Sequence, residues 1–170
     1  MRTLGLGLGV TPGQPWSQPF WSNVVGATVS GRSMVKTASA VWGNCAASSI
    51  QSIVGNGFCQ FSTNENTLQK MAGLTHTRTD NSFDTIDFGI YLAANTIDIF
   101  EDGTEVGVSV GTVAPGDILQ VVVAGSVVTY KKNGALLYTS GKAPSHPLYF
   151  MAAMFNTAAQ LQGCLISATP

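Results

Sequence analysis

Charge is what this sequence has least of. Of its 170 residues, 10% are charged and the formal net charge is -1, whereas a typical domain has about 25% charged residues. No basic run occurs, which argues against nucleic acid as a partner because binding phosphates requires clustered cations. A surface so poor in charge has little electrostatic repulsion to keep copies apart. The composition fits either a subunit of an assembly or an extracellular polar sandwich.

Cysteine is scarce, and its three positions form no pattern. Cys45, Cys59 and Cys164 are widely spaced and no C-x-x-C occurs, which matches neither a disulfide framework nor a zinc site. Buried thiols that act as small hydrophobes are the favoured interpretation. The alternative is one bridge between Cys45 and Cys59, which would leave Cys164 odd.

Long apolar runs are missing as well. No stretch approaches the roughly 20 residues of a membrane span. Residues 1–10 alternate Leu and Gly and therefore lack the continuous apolar region of an export signal. The sequence predicts neither a membrane partner nor export.

No window shows a capped helical period, and the chain consists instead of short β-rich runs between turn signals. Residues 118–123, 127–131 and 135–140 predict a three-stranded meander. Its second turn, Asn133-Gly134, tolerates the positive φ of a type I′ hairpin. About a dozen such runs predict an all-β fold, an antiparallel two-sheet β-sandwich or jelly roll.

The remaining predicted strands follow the same logic along the chain. They cover residues 23–30, 33–37, 49–54, 57–62, 68–74, 86–92, 96–100, 104–108, 147–155 and 160–168. Tight turns are predicted at Gly31-Arg32, Gly55-Asn56 and Asp102-Gly103. Residues 38–47 are predicted to form a connecting loop.

The first 21 residues differ from the rest. Leu and Gly alternate over residues 3–10, which suits an extended strand, and Pro12, Pro15 and Pro19 exclude regular structure beyond it. This segment either packs on its own domain or adds to a neighbour's sheet edge. We favour the second interpretation, with a docking arm at residues 1–21 and a sandwich domain at 22–170. The predicted docking residues are Leu4, Leu6, Leu8, Trp16, Phe20 and Trp21.

Four stretches occur in an order that resembles a known fold. They are IDFGIYL at 86–92, IDIFEDG at 97–103, GDILQV at 116–121 and YKKNGALLYTS at 130–140. Together they resemble the concanavalin A-like lectin/glucanase sandwich, in particular the SPRY-like and laminin-G-like modules of bacterial and phage surface proteins. The resemblance covers about residues 23–168 and implies a concanavalin A-like jelly roll. Because its motifs are hairpin patterns, it concerns fold rather than function.

Chemical signatures of that fold are missing here. Members that hydrolyse glycans carry Glu-x-Asp-x-Glu or Glu-x-Asp-x-x-Glu on one strand, and the acidic residues at 98–102 are instead assigned to a hairpin turn. Asp80 and Asp84 lie in a stretch comparable to a lectin calcium loop but without a full ligand set. His76 and His146 have no neighbouring second ligand in the sequence. The sequence predicts no catalytic residue, no metal site and no cofactor.

Aromatic residues are the remaining candidates for a binding site. Trp42, Phe83, Tyr91 and Tyr130 are predicted to stack on sugar rings, and packing in the core or at its rim is the alternative for each. Tyr130 and Tyr138 flank the Asn133-Gly134 turn, which predicts a cross-strand aromatic pair.

These features predict a non-enzymatic structural or attachment protein of a multi-subunit particle. The low charge, the Leu-Gly arm and the resemblance to phage modules favour a virion decoration, fibre or tail component, assembled in the host cytoplasm. Its partners would be other subunits, including copies of itself as a homo-oligomer. The alternative is an extracellular or cell-surface carbohydrate-binding module that recognises a surface glycan. A glycoside hydrolase ranks last, because the catalytic carboxylate run is missing.

Overall fold

The computed structural model describes residues 17–78 and 80–169. Within these ranges the chain forms fourteen β-strands and one short 3-10 helix, Phe83–Thr85. The strands are β1 (Trp21–Val25), β2 (Ala27–Ser30), β3 (Ser33–Lys36), β4 (Ala46–Ile53), β5 (Asn56–Ser62), β6 (Lys70–Thr75), β7 (Phe88–Ala93), β8 (Thr96–Glu101), β9 (Thr104–Thr112), β10 (Leu119–Ala124), β11 (Val127–Lys132), β12 (Ala135–Thr139), β13 (Leu148–Met154) and β14 (Gln160–Thr169). No helix in this described part of the chain is long and apolar enough to cross a membrane.

The strands form two seven-stranded sheets. The first sheet has the order β1-β4-β13-β6-β7-β8-β9, and the second has the order β12-β11-β10-β5-β14-β3-β2. All pairings between the described strands are antiparallel. The predicted all-β, two-sheet antiparallel sandwich is therefore confirmed.

The core lies between the sheets because alternate residues of each strand point inward. In β10, for example, Leu119, Val121 and Val123 are buried while Gln120 and Val122 are partly exposed. The aromatic residues of this core are Phe61, Phe88, Phe150 and Tyr130. Burial of this alternating apolar set is the main stabilising term of the fold.

The predicted meander is present as β10, β11 and β12. Asn133 and Gly134 have φ values of 49° and 81°, as a type I′ turn requires. The predicted pair of Tyr130 and Tyr138 is confirmed, with ring centroids 5.9 Å apart. Asp117 fixes the approach to the meander: hydrogen bonds from the Ala114 backbone N–H and the Asn133 side chain hold its pKa below the usual range.

Two glycines carry the chain from one sheet to the other, which sequence patterning did not predict. The strand predicted at 23–30 is broken at Gly26, which has a φ of 59°, so that β1 joins the first sheet and β2 the second. The turn at Gly55 is tight, as predicted, but it does not close a hairpin, because β4 and β5 lie in different sheets. The break at Gly26 and the change of sheet at Gly55 have the same cause, because the sheet that each strand joins is determined by strands far away in the sequence.

The predicted arm falls largely outside the described residues, including Leu4, Leu6, Leu8 and Trp16. The part that is described lies against its own domain. Ser17 exchanges two backbone hydrogen bonds of 2.9 Å with Ile166, and Trp21 begins β1 and packs on Phe150 with ring centroids 5.4 Å apart. Phe20, in contrast, is 41% exposed.

The three cysteines are buried free thiols, which confirms the favoured interpretation of them as small core hydrophobes. Burial raises the pKa of the Cys45 thiol to about 11 and that of Cys164 to about 12. Burial also raises the pKa of Cys59. Thiols with such raised pKa values are poor nucleophiles at neutral pH.

Candidate functional site: an aromatic cluster on the outer face of the first sheet

The first sheet has a second apolar surface on the side that faces away from the core. Ala72, Ile90 and Ala152 belong to the core between the sheets. The residues that alternate with them therefore point outward, and Met71 and Ala153 are nevertheless buried. We call this side the outer face.

Strand register places the outer-face residues in rows across the sheet. One row runs through Ala46, Ala153, Met71, Tyr91 and Asp98. The next runs through Ser48, Met151, Gly73, Gly89, Phe100 and Glu105. Directly opposite side chains on neighbouring strands have Cβ atoms about 4.5–5.5 Å apart. Tyr91 is thus beside Asp98, and Phe100 is beside Glu105.

Gly89, in the second row, lets the segment between β6 and β7 lie directly on the sheet. A Cβ at Gly89 would be 2.7 Å from Met71 Sδ and 3.3 Å from Ile86 Cγ2, so a larger residue would displace them. The segment between β6 and β7 is held against the sheet by a hydrogen bond that Thr75 Oγ1 donates to Thr85 O at 2.7 Å. This arrangement buries Ile86 and brings Phe83 over the sheet.

A buried cation positions a second loop, residues 37–45, on the opposite side of the outer face. Lys36 is 1% exposed, and its Nζ donates to Val41 O at 2.8 Å, Asn44 Oδ1 at 2.6 Å and Met154 O at 2.8 Å. Burial lowers the pKa of Lys36. Because Val41 and Asn44 flank Trp42, these bonds determine where the indole lies.

The two loops bring five half-buried aromatic rings into contact. Measured between centroids, Trp42 lies 4.8 Å from Phe83, 6.2 Å from Tyr91 and 5.6 Å from Phe155. Phe100 closes the group at 5.4 Å from Tyr91 and 6.3 Å from Phe83, both edge to face. We call Trp42, Phe83, Tyr91, Phe100 and Phe155 the outer cluster.

Carboxylates lie along the β8 and β9 side of the outer cluster. Asp98 is 8% exposed, and its Oδ1 accepts the Ser109 backbone N–H at 2.5 Å. Burial, followed by the nearby Asp98 and Glu105 charges, raises the pKa of Tyr91. Within the described residues neither Asp98 nor Glu105 is part of an ion pair.

The cations on the other side of this face have partners. The Arg78 guanidinium lies 4.2 Å from the Tyr149 ring centroid and donates to Ser49 O at 3.2 Å. The His76 imidazole, whose side chain is 49% exposed, contacts Asp87 through Nδ1 at 2.6 Å. His76 therefore has a neighbouring carboxylate that its position in the sequence did not indicate.

Three of the four aromatic residues predicted to bind sugar come together here: Trp42, Phe83 and Tyr91. Tyr130 does not, because it lies in the core, is 0% exposed, and donates its hydroxyl to Glu101 Oε1 at 2.9 Å. Its ring has no face available to a sugar. Phe100 and Phe155 were missed; the strand alternation that places Asp98 outward also places Phe100 outward.

The structure places the acidic residues of two stretches, 98–102 and 80–84, differently from the sequence prediction or without a metal site. In the group 98–102, only Asp102 lies in the turn, since Asp98 and Glu101 belong to β8. Asp80 Oδ1 accepts the backbone N–H groups of Asn81 at 2.6 Å and Ser82 at 3.0 Å, an Asx turn. No group of three or more His, Cys, Asp or Glu residues that could hold a metal ion occurs within 17–78 and 80–169.

No protein-family model and no curated protein sequence matches this chain. Solved structures do match. The SPRY domain of human HERC1 has a TM-score of 0.60 at 11% identity, covering 84% of this chain and 92% of that domain. The exoplasmic/lumenal domain of VIP36, in its Ca2+/Man3GlcNAc-bound form, has a TM-score of 0.59 at 12% identity, covering 92% and 91%. The β-glucanase of Bacillus licheniformis has a TM-score of 0.54 at 14% identity, covering 91% and 92%.

These similarities define the class of fold. The chain has the fold that these structures share, the concanavalin A-like sandwich, which confirms the resemblance of fold found in the sequence. The same fold carries an enzyme as well as domains not named as enzymes, so function has to be argued from the site.

Proposed function

We propose that this protein is a non-catalytic, lectin-like domain that binds glycan on the outer cluster. The observation that carries the proposal is the contact of five half-buried rings on one face of the sheet. Aromatic faces offer apolar area at low entropic cost, and the apolar faces of sugar rings can stack on them. The neighbouring Asp98 and Glu105 supply acceptors for sugar hydroxyls. The matching fold of VIP36, seen bound to Man3GlcNAc, supports the same interpretation.

Catalysis has less support than binding. Glycoside hydrolysis uses a pair of carboxyl groups that flank the bond to be cleaved. Asp98 and Glu105 come from different strands, and Asp98 already holds the Ser109 backbone N–H through Oδ1. Its primary contact is therefore structural, whereas a glycan acceptor role needs only its second oxygen.

Replacing Trp42 or Phe83 with Leu should weaken glycan binding about tenfold, because each change removes an aromatic face while retaining apolar volume. A glycan array followed by titration calorimetry with the best ligand measures this. Tyr130→Phe is the matched control, since that ring is in the core. Equal affinity of all variants, or release of shortened glycan on incubation, would contradict non-catalytic binding at the outer cluster.

We also propose that the domain serves as an attachment component of a multi-subunit particle such as a phage virion, with residues 1–16 as its docking segment. Three observations favour it. The chain is poor in charge. The edge strand β1 and its surroundings carry exposed apolar residues, namely Phe20, Val24, Val25 and Ile50. Residues 17–21 connect this edge to the proposed docking segment. An extracellular or cell-surface domain is the alternative location.

Deleting residues 1–16 should leave the unfolding midpoint unchanged and abolish assembly into oligomers or particles. The cut is placed before Ser17, because Ser17 and Trp21 contact the sandwich. Sedimentation velocity on the full chain and the truncated chain, together with thermal unfolding, makes the comparison. Normal assembly of the truncated chain would remove the docking role.

A further inference from the structure

The carboxylates beside the outer cluster influence which class of glycan the cluster would bind. Asp98 and Glu105 occupy adjacent rows of the outer face, each opposite an aromatic residue of the outer cluster. Asp98 and Glu105 therefore lie on the surface that a sugar stacked on Tyr91 or Phe100 would cover.

Asp98 has an oxygen without a partner. Its Oδ1 accepts the Ser109 N–H, whereas its Oδ2 accepts no hydrogen bond from any described residue. Asp98 is 8% exposed, and Oδ2 belongs to the part that water reaches, since Trp21 Nε1 is the one buried side-chain polar atom without a partner among the described residues. A donor on the ligand can therefore take the place of water at Oδ2.

The cations near the outer cluster are already engaged, and the carboxylates are not. Lys36 is surrounded by three acceptors, and Arg78 is held by Tyr149 and Ser49. His76 is held by Asp87. On the β8 and β9 side, the described Asp98, Glu105 and the exposed Asp84 have no ion pair. The local field at this side therefore favours a cationic ligand group.

We propose that the outer cluster prefers amino sugars carrying a protonated amine over neutral sugars, and disfavours uronic sugars. The inference rests on the proposed glycan function and specifies its ligand class. The aromatic faces hold the sugar ring, and the ammonium group donates to Asp98 Oδ2 and faces the Glu105 carboxylate. Ammonium groups are also attracted by aromatic faces.

The test compares three oligosaccharides of equal length with the full chain at mildly acidic pH and low salt. A chitosan oligomer is cationic, a chitin oligomer has the same backbone with acetylated, neutral nitrogens, and an oligogalacturonate is anionic. We expect the chitosan oligomer to bind about three- to tenfold more tightly than the chitin oligomer, from one or two partly exposed ion pairs. The oligogalacturonate should bind most weakly, and salt should reduce the preference.

Two variants connect the preference to the carboxylates. Glu105→Gln and Asp98→Asn should each weaken chitosan binding more than chitin binding and so reduce the preference, because the amide keeps an oxygen acceptor for sugar hydroxyls but loses the negative charge that attracts the ammonium group. The amide introduced by Asp98→Asn retains an oxygen for the Ser109 N–H, and the exposed Glu105 can change without risk to the fold. Lys131→Met, which removes a charge from the second sheet on the side that faces away from the core, is the control. Equal binding of chitosan and chitin, or a preference that survives both variants, would overturn this inference and leave the glycan function standing. Failure of every glycan to bind would remove both.

Discussion

Replacing Gly26 with Ala should lower the free energy of unfolding by about 3 kcal/mol or more, the range of severe backbone conflicts. A Cβ there would lie 2.0 Å from Asn44 O, a backbone atom, and 2.9 Å from the Ala38 Cβ. No rotamer change can relieve the first contact. Gly26 also has a φ of 59°, which costs an L-residue about 1–2 kcal/mol.

The clash would push the junction between β1 and β2 away from the loop at residues 37–45. Gly26 O accepts the backbone N–H groups of Thr37 at 2.9 Å and Ala38 at 3.1 Å, where the loop carrying Trp42 begins. A shift of this strand junction therefore moves the outer cluster, and we expect glycan affinity to fall together with stability.

Gly43→Ala is the matched control for this prediction. Gly43 has a φ of 82° and lies in the same loop, but a Cβ there would meet no atom within 4 Å. The Gly43→Ala variant should lose only the conformational cost of a positive φ, about 1–2 kcal/mol of the free energy of unfolding. Urea denaturation of both variants gives the two values, and equal losses would show that the contact with Asn44 is not limiting.

Replacing Lys36 with Met should cost about 3 kcal/mol of stability. The side chains have similar length, but Met leaves three acceptors, Val41 O, Asn44 Oδ1 and Met154 O, without the cation that now binds them. Hydrogen bonds to a charged group contribute about 1.5–3 kcal/mol each, and buried acceptors left alone carry a penalty of their own. Removal of the desolvated charge offsets part of this loss.

The same substitution should weaken glycan binding, because Lys36 binds Val41 and Asn44, which lie on either side of Trp42 in the loop. Lys131→Met is the control, since Lys131 is half-buried on β11 and has no described ion pair; a change within about 0.5 kcal/mol is expected there. Chemical denaturation and ligand titration measure the two effects separately. Lys36→Met binding glycan with unchanged affinity would mean that the indole position does not depend on this lysine.

Most of the fold could be predicted because its hairpins are local. Asn133-Gly134, Asp102-Gly103 and Gly31-Arg32 each join strands that are neighbours in sequence and in the sheet. Asn133, Gly134, Asp102, Gly103 and Gly31 all have a positive φ, and that requirement can be recognised in the sequence. The choice of sheet after Gly26 and Gly55 could not be predicted, because β2 joins the second sheet through β3, and both β3 and β5 pair with the distant strand β14.

The outer cluster could be predicted only in part. Alternation along β11 places Val128 and Tyr130 on one face, but a short sequence does not reveal which face is the core. Alternation alone therefore does not reveal that Tyr130 lies in the core and Phe100 on the outer face. Lys36 gave a usable signal, since a lysine that alternates with Met34 in a strand must bury its charge against acceptors.

The position of β14 governs when this protein can fold. β14 lies inside the second sheet between β5 and β3, and both partners come from the first part of the chain. Such non-local pairing predicts folding on the scale of milliseconds to seconds. Until residues 160–169 have left the ribosome, β3 and β5 each have an unpaired edge, which invites pairing with another chain. We therefore expect this protein to be most prone to aggregation during its own synthesis, before its last described strand is available.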